Sequence, residues 1–145
     1  MYIKQGDLFR GVKMDFLKKV MDVTSQESYP AGAMLFEAGD PAVDLYILIN
    51  GRVELRMGEA EKQIHIGSQT GESFGWAGLV GRETFRASGR CLEKVDLLRI
   101  DVNSFKQLLD EYRDDGIIFY QNLSEALGKR LMQSYQKSLA ADDCQ

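Results

Sequence analysis

The sequence is poor in the residues that build metal sites and disulfide networks. Its 145 residues include one histidine, His65, and two cysteines, Cys91 and Cys144. A single histidine without a Cys-x-x-Cys pair supplies too few ligands for a zinc site, so no metal is predicted. The cysteines lie far apart in the chain, so no disulfide framework is predicted, and this sparse usage is typical of a reducing, cytoplasmic setting.

The sequence also lacks a basic excess and long hydrophobic runs. It has 18 Lys and Arg against 22 Asp and Glu, a net charge of −4, whereas a protein that binds nucleic acid usually carries a basic surface. No apolar run approaches about 18 residues and the first residues form no signal segment, so we expect no direct nucleic-acid binding, no export and no membrane span. Phosphate-binding loops and nucleophile motifs are missing too, so no enzyme is predicted.

The length and the hydrophobic content of 44% predict a single domain over residues 1–145. An amphipathic pattern from Leu8 to Met21 predicts a short helix that is broken near Gly11. This helix belongs to a predicted N-terminal helical lead over residues 1–28.

Short apolar or alternating runs then fill residues 29–100. Turn residues separate them at a spacing of about ten, which is typical of a sandwich or barrel. Asn50-Gly51 is the clearest hairpin signal, because both residues tolerate positive φ. The predicted strands are Met34–Phe36, Leu45–Ile49, Arg52–Met57, Gln63–Ile66 and Val95–Ile100.

Residues 101–139 return to helical periodicity. Asp101, or Asn103 slightly later, is predicted to cap a helix that ends near Asp114-Asp115-Gly116. A longer helix follows with a narrow apolar seam, for which we expect a partner helix and therefore a homodimer; packing of the seam on the strands is the alternative. The seam consists of Tyr120, Leu123, Leu127, Leu131 and Ser134 or Tyr135.

Four segments carry a resemblance to a known family: Leu8 to Gly11, Tyr29 to Gly32, Phe36 to Ala42 and Leu45 to Val53. In their order and spacing the chain resembles the cyclic-nucleotide-binding domain of the catabolite activator protein and fumarate-nitrate regulator superfamily. The resemblance implies a mainly β fold with flanking helices, in which a double-stranded β-helix (jelly-roll) β-roll is followed by a long C-terminal helix. About ten residues follow Tyr135, too few for the DNA-binding helix-turn-helix of the family's transcription factors. We therefore expect that an effector domain lies outside this sequence or that the protein works alone.

The resemblance places a phosphate-binding cassette over residues 71–89. There Gly75 allows close backbone approach, and Arg86 offers a planar fork of donors to phosphate oxygens. The family has an acidic residue after the glycine and a serine or threonine after the arginine, whereas this sequence has Trp76 and Ala87, which predicts weak or no binding of cyclic AMP. The predicted ligand-binding residues are Gly75, Trp76, Ala77, Arg86, Ala87 and Ser88 in the cassette, Leu55 and His65 on the roll wall, and Arg130, Ser134 and Tyr135 on the long helix.

Two functions are consistent with these patterns. The first is a ligand-sensing regulatory domain that binds a small anionic effector, with cyclic AMP, cyclic GMP or another small anion as candidates, and signals through a dimerising helix to a protein partner or effector domain. The second is a degenerate roll that serves as a dimerisation or protein-interaction module without a ligand. Trp76 distinguishes them, because a ring in front of Arg86 closes the site and a ring that stands aside leaves a pocket.

Overall fold

The computed structural model describes residues 6–143, and the side chains of residues 6–140. Within that range the chain forms eight strands and three α-helices. The helices are α1 (Met14–Asp22), α2 (Val102–Glu111) and α3 (Arg113–Asp143), with a 3-10 helix at Trp76–Val80. The strands are β1 (Thr24–Tyr29), β2 (Met34–Phe36), β3 (Asp44–Asn50), β4 (Val53–Met57), β5 (Lys62–Gly67), β6 (Ser73–Phe74), β7 (Ala87–Cys91) and β8 (Val95–Asp101).

The strands form two four-stranded antiparallel sheets, in the orders β1-β8-β3-β6 and β2-β7-β4-β5. Strand β3 contributes to two hydrophobic cores, because both of its faces are buried. Leu45, Ile47 and Ile49 pack towards the helices, and Tyr46 and Leu48 pack between the sheets. The alternation of side chains along a strand therefore turns one continuous apolar run into part of two cores. The predicted β-roll with flanking helices is confirmed.

All five predicted strands are present, and three strands were missed. The first of these, β1, lies inside the predicted helical lead and pairs with β8 from Thr24↔Ile100 to Tyr29↔Val95, so the roll begins before residue 29. Its sequence is polar because it is an edge strand with one neighbour, and no apolar alternation marks it. The other two, β6 and β7, lie within residues 71–91 and are only two and five residues long.

The N-terminal helix is shorter than predicted. It begins at Met14, and Leu8 and Phe9 are buried in the turn before it. Gly11 adopts a φ of +88°, a conformation that favours glycine. This residue separates the turn that contains Leu8 and Phe9 from the helix that starts at Met14. Residues 1–5 lie outside the described part of the chain.

The C-terminal helices begin as predicted but divide elsewhere. The Asp101 carboxylate accepts a hydrogen bond from the Ser104 amide at 2.9 Å, which confirms the cap. The predicted helix end near Asp114-Asp115-Gly116 is wrong, since α2 ends at Glu111 and Gly116 lies within α3. A Cβ atom at Gly116 would lie 2.6 Å from the Leu109 carbonyl oxygen. The glycine therefore allows close packing of two helices and does not terminate one.

The predicted seam of α3 does not face one direction. Leu123 is buried in the helix-side core and Leu127 packs against that core. Farther along, Leu131, Tyr135 and Leu139 are 51%, 54% and 64% exposed. The first half of the seam therefore packs within the domain, and an unpartnered apolar face begins at Leu131. Within residues 6–143 no helix combines the length and hydropathy that a membrane span requires.

Candidate functional site

A cavity of about 450 Å³ lies between the second sheet and α3. Strands β2, β4 and β5, the segments 75–77 and 82–87 and the stretch of α3 from Leu127 to Lys137 form it. We call it the apolar cavity, because most of its lining is hydrophobic. The apolar residues are Phe36, Leu55, Met57, Ile64, Trp76, Ala77, Phe85, Ala87, Leu127 and Leu131.

Nine of the eleven predicted ligand-binding residues line this cavity. The two exceptions are Ser88 and Tyr135, which are corrections to the prediction. Ser88 follows Ala87 on a strand and points to the opposite side, where its buried hydroxyl accepts a hydrogen bond from the Ala38 amide at 2.9 Å. Tyr135 follows the cavity-lining Ser134 on α3 and lies on its exposed side. Ligand binding by these nine residues remains a prediction.

Gly75 and Trp76 shape the cassette side of the cavity. Gly75 precedes the 3-10 helix with a φ of +77°, and a Cβ there would approach the Asp44 carbonyl oxygen to 3.2 Å. The next residue, Trp76, is partly buried and packs against the helix-side core. It lines the same open cavity as Arg86. The indole therefore leaves a pocket beside that arginine.

The charged residues at the cavity entrance are basic. Arg82, Arg86 and Lys137 are exposed and line the cavity, and we call them the cationic rim. Of the described residues that line the cavity, none is an aspartate or glutamate. No ion pair within 4.0 Å joins a rim residue to another described side chain. On a chain with a net charge of −4, this entrance is a local site of positive charge.

His65 and Arg130 meet at Glu72, a residue that the sequence reasoning missed. Glu72 Oε2 lies 2.5 Å from His65 Nε2 and 3.5 Å from Arg130 Nη2. Arg130 also donates to the Ser73 carbonyl oxygen at 3.0 Å. Burial alone would raise the pKa of Glu72, but the hydrogen bond and charge of His65, a backbone amide and the charge of Arg130 hold that pKa below its usual range. This cluster ties α3 to the roll.

A second cavity of about 400 Å³ lies on the other side of this cluster. His65, Arg130 and Gln133 border both cavities. The second lining is mainly polar and comes from the turn at 68–73 and from Lys129. Glu72 also organises this turn, because its Oε1 accepts hydrogen bonds from the Ser68 and Gln69 amides at 3.2 and 3.4 Å.

Comparison with known proteins supports the family and the fold. The model of the family described as cyclic nucleotide-binding domain matches residues 26–112. Potassium channel GORK of Arabidopsis thaliana is 28% identical over 128 residues, which are 86% of this chain and 15% of the channel. Potassium channel KAT1 of the same plant is 28% identical over 137 residues, or 94% of this chain and 19% of the channel. The chain thus spans less than a fifth of the length of these relatives.

A solved structure shows the same fold at lower identity. A protein from Geobacter metallireducens assigned as cyclic nucleotide-binding has a TM-score of 0.77 and 22% identity, with 86% of this chain and 91% of that chain covered. The matched residues 26–112 include the β-roll from β2 to β8 and the parts of the apolar cavity that the roll supplies, whereas the cavity-lining stretch of α3 from Leu127 to Lys137 follows the matched range. The chain belongs to the cyclic nucleotide-binding domain family.

Proposed function

We propose that this chain is a ligand-sensing regulatory domain whose apolar cavity binds a small anionic effector. The observation that carries the proposal is the cationic rim of Arg82, Arg86 and Lys137 around a cavity whose described lining holds no carboxylate. A guanidinium gives an anion short, directional hydrogen bonds. Such contacts outweigh the distant negative charge of the chain, which salt screens beyond roughly 8 Å at physiological ionic strength. Family membership supports sensing and not catalysis as the role.

Cyclic AMP and cyclic GMP are the effectors that the family suggests. Arg86 and Gly75 both line the cavity, which supports a phosphate contact at this side of it. Trp76 and Ala87 supply neither a carboxylate for the ribose nor a hydroxyl for the phosphate. We therefore propose that cyclic nucleotides bind weakly and that the preferred effector differs from them.

The output of the domain is proposed to pass through α3. This helix contributes Phe119 and Leu123 to the core and Leu127, Leu131 and Ser134 to the cavity wall. A bound effector would therefore contact the helix directly and stabilise its C-terminal half. The exposed apolar face that begins at Leu131 supports pairing with a second copy, since apolar surface of this kind commonly marks an interface.

A wider assembly is also part of the proposal. Because the chain spans 15% and 19% of two potassium channels, we propose that the domain regulates an effector domain or a protein partner.

Cys91 is buried as a free thiol, and burial raises its pKa. The sparse cysteine content of the sequence supports the proposed reducing, cytoplasmic location, and Cys144 lies outside the described residues.

Trp76 provides the experiment, because it is the single tryptophan of the chain and lines the cavity. Its fluorescence, together with calorimetry, should report binding in a titration with cyclic AMP, cyclic GMP and a panel of small organic anions. Arg86→Gln should weaken every anion that binds by about tenfold, which is the value of one charge-assisted contact. The matched variant Arg90→Gln removes the same charge from an exposed position that does not line the cavity and should leave affinity unchanged.

The alternative is a degenerate roll that acts as a dimerisation or interaction module. The replacement of the family's acid and hydroxyl by Trp76 and Ala87 favours it. It predicts no binding of any anion at millimolar concentration and an unchanged oligomeric state in Arg86→Gln. Equal affinities of Arg86→Gln and Arg90→Gln for an anion that does bind would also contradict the proposed site.

A further inference from the structure

The apolar cavity is divided between a charged entrance and an apolar interior. The cationic rim is exposed, whereas the innermost side chains, Phe36, Leu55 and Phe85, are buried. A ligand that satisfies both regions needs an anionic head at the entrance and an apolar body inside. The volume of about 450 Å³ lies within the range of pockets that hold small organic ligands.

The cavity offers few partners for a sugar. Apart from its arginines and lysine, its polar side chains are Gln133, Ser134 and His65, and the Nε2 atom of His65 lies 2.5 Å from Glu72 Oε2. The indole of Trp76 can donate a hydrogen bond but cannot accept one. A ribose bound here would lose its hydrogen bonds to water. The described lining holds no carboxylate that could accept hydrogen bonds from the ribose hydroxyls, and unsatisfied polar groups lower affinity.

We propose that the effector of the apolar cavity is an amphipathic organic anion, with one carboxylate or phosphate head and an apolar body that carries no sugar. The head pairs with the cationic rim, and the body packs on Phe36, Leu55 and Phe85. This inference rests on the proposed function, since it names the class of effector that the same site takes. The charge and the apolar lining are both required, so neither inorganic phosphate nor a neutral alcohol meets the site fully.

Simple alkyl compounds test the two requirements separately on the full chain. Decanoate and decyl phosphate, kept below the concentrations at which they form micelles, should each quench or shift Trp76 fluorescence. At least one should bind ten times more tightly than cyclic AMP by calorimetry. Shortening decanoate to octanoate and hexanoate should weaken binding two- to fourfold per methylene, because each buried methylene contributes a fixed increment. Decanol should bind at least tenfold more weakly than decanoate.

Variants locate the head group. Arg86→Gln should weaken decanoate about tenfold and leave decanol unchanged, whereas the matched variant Arg90→Gln should affect neither. Affinity that is independent of chain length, or equal affinities for decanol and decanoate, would overturn the inference. If cyclic AMP binds more tightly than both alkyl anions and loses affinity in Arg86→Gln, the inference is wrong and the proposed function stands. If no anion binds, both are wrong.

Discussion

Glu72 joins the roll to α3 through Arg130 and is also held by His65 of β5. Glu72→Gln should therefore lower the free energy of unfolding by about 2 kcal/mol. The side chains of Glu72 and Arg130 are only 18% and 24% exposed, and hydrogen bonds to charged groups contribute about 1.5–3 kcal/mol. Removing one partner of a fully buried pair costs about 3–5 kcal/mol. Glutamine keeps an acceptor oxygen and the site is not fully buried, so the lower value applies.

Urea unfolding at neutral pH, followed by Trp76 fluorescence, measures this loss. The matched control is Glu93→Gln, since Glu93 Oε1 accepts a 2.7 Å bond from Arg52 Nε although both side chains are about half exposed, at 50% and 52%. An exposed pair contributes little, so the control should lose no more than about 0.5 kcal/mol. Equal losses in the two variants would refute the assignment of Glu72 as the link between roll and helix.

The pH dependence of the same pair of proteins provides a second readout. The fold lowers the pKa of Glu72, so its stabilising contribution is complete above the ordinary glutamate value of about 4.3 and is lost as the pH falls below it. The difference in unfolding free energy between wild type and Glu72→Gln should therefore shrink between about pH 5 and about pH 3. A difference that persists unchanged in acid would contradict the charged state assigned to this carboxylate.

Three further predictions concern the N-terminal segment, the exposed face of α3 and the cassette. The Asn122 amide donates to two backbone carbonyl oxygens at 3.0 and 2.8 Å, so Asn122→Ala should cost about 2 kcal/mol in urea unfolding; the exposed neighbour Gln121→Ala should cost almost nothing. Leu139→Glu should convert a dimer to a monomer in sedimentation velocity, whereas Gln136→Glu, with the same added charge, should not, and a wild-type chain that is monomeric at high concentration would contradict dimerisation. Trp76→Glu should raise the affinity for cyclic AMP about tenfold or more by calorimetry, because it restores an acceptor for the ribose hydroxyl. No gain, or a low-micromolar dissociation constant for the wild type, would contradict that interpretation of the cassette.

The sequence predicts those parts of the fold that local chemistry decides. The β3 run and the Asp101 cap are each specified by neighbouring residues, and each lies where predicted. The hairpin predicted at Asn50-Gly51 is wrong: β3 and β4 flank this turn but lie in different sheets, so the turn connects the two sheets. Local turn preferences do not decide which strands pair. Strand β1 was not predicted, because its polar sequence carries no strand signal and only its pairing with β8 makes it a strand. Gly116 was misassigned for a similar reason: its role is set by Leu109 on another helix.

The residues of the candidate site were also predictable only in part. The cassette residues could be placed from family spacing, because a short segment carries them together. Glu72 could not, since its partners His65 and Arg130 lie on a strand and a helix that only the folded chain brings to it. Alternation along β7 does account for Ser88, whose side chain must lie opposite that of Ala87.

The position of α3 also constrains how sensing could operate. If an effector stabilises the stretch of α3 from Leu127 to Ser134, and if the same stretch must be ordered before Leu139 can meet a second copy, then effector binding and dimerisation share one free energy. Linkage then requires the two effects to be reciprocal: with one effector site in each of two subunits, the factor by which saturating effector tightens the dimer must equal the square of the factor by which dimerisation tightens effector binding at each site. Both factors can be measured by titrating decanoate at protein concentrations below and above the dimerisation midpoint. Factors of one would mean that the helix does not couple the two events, even if each occurs.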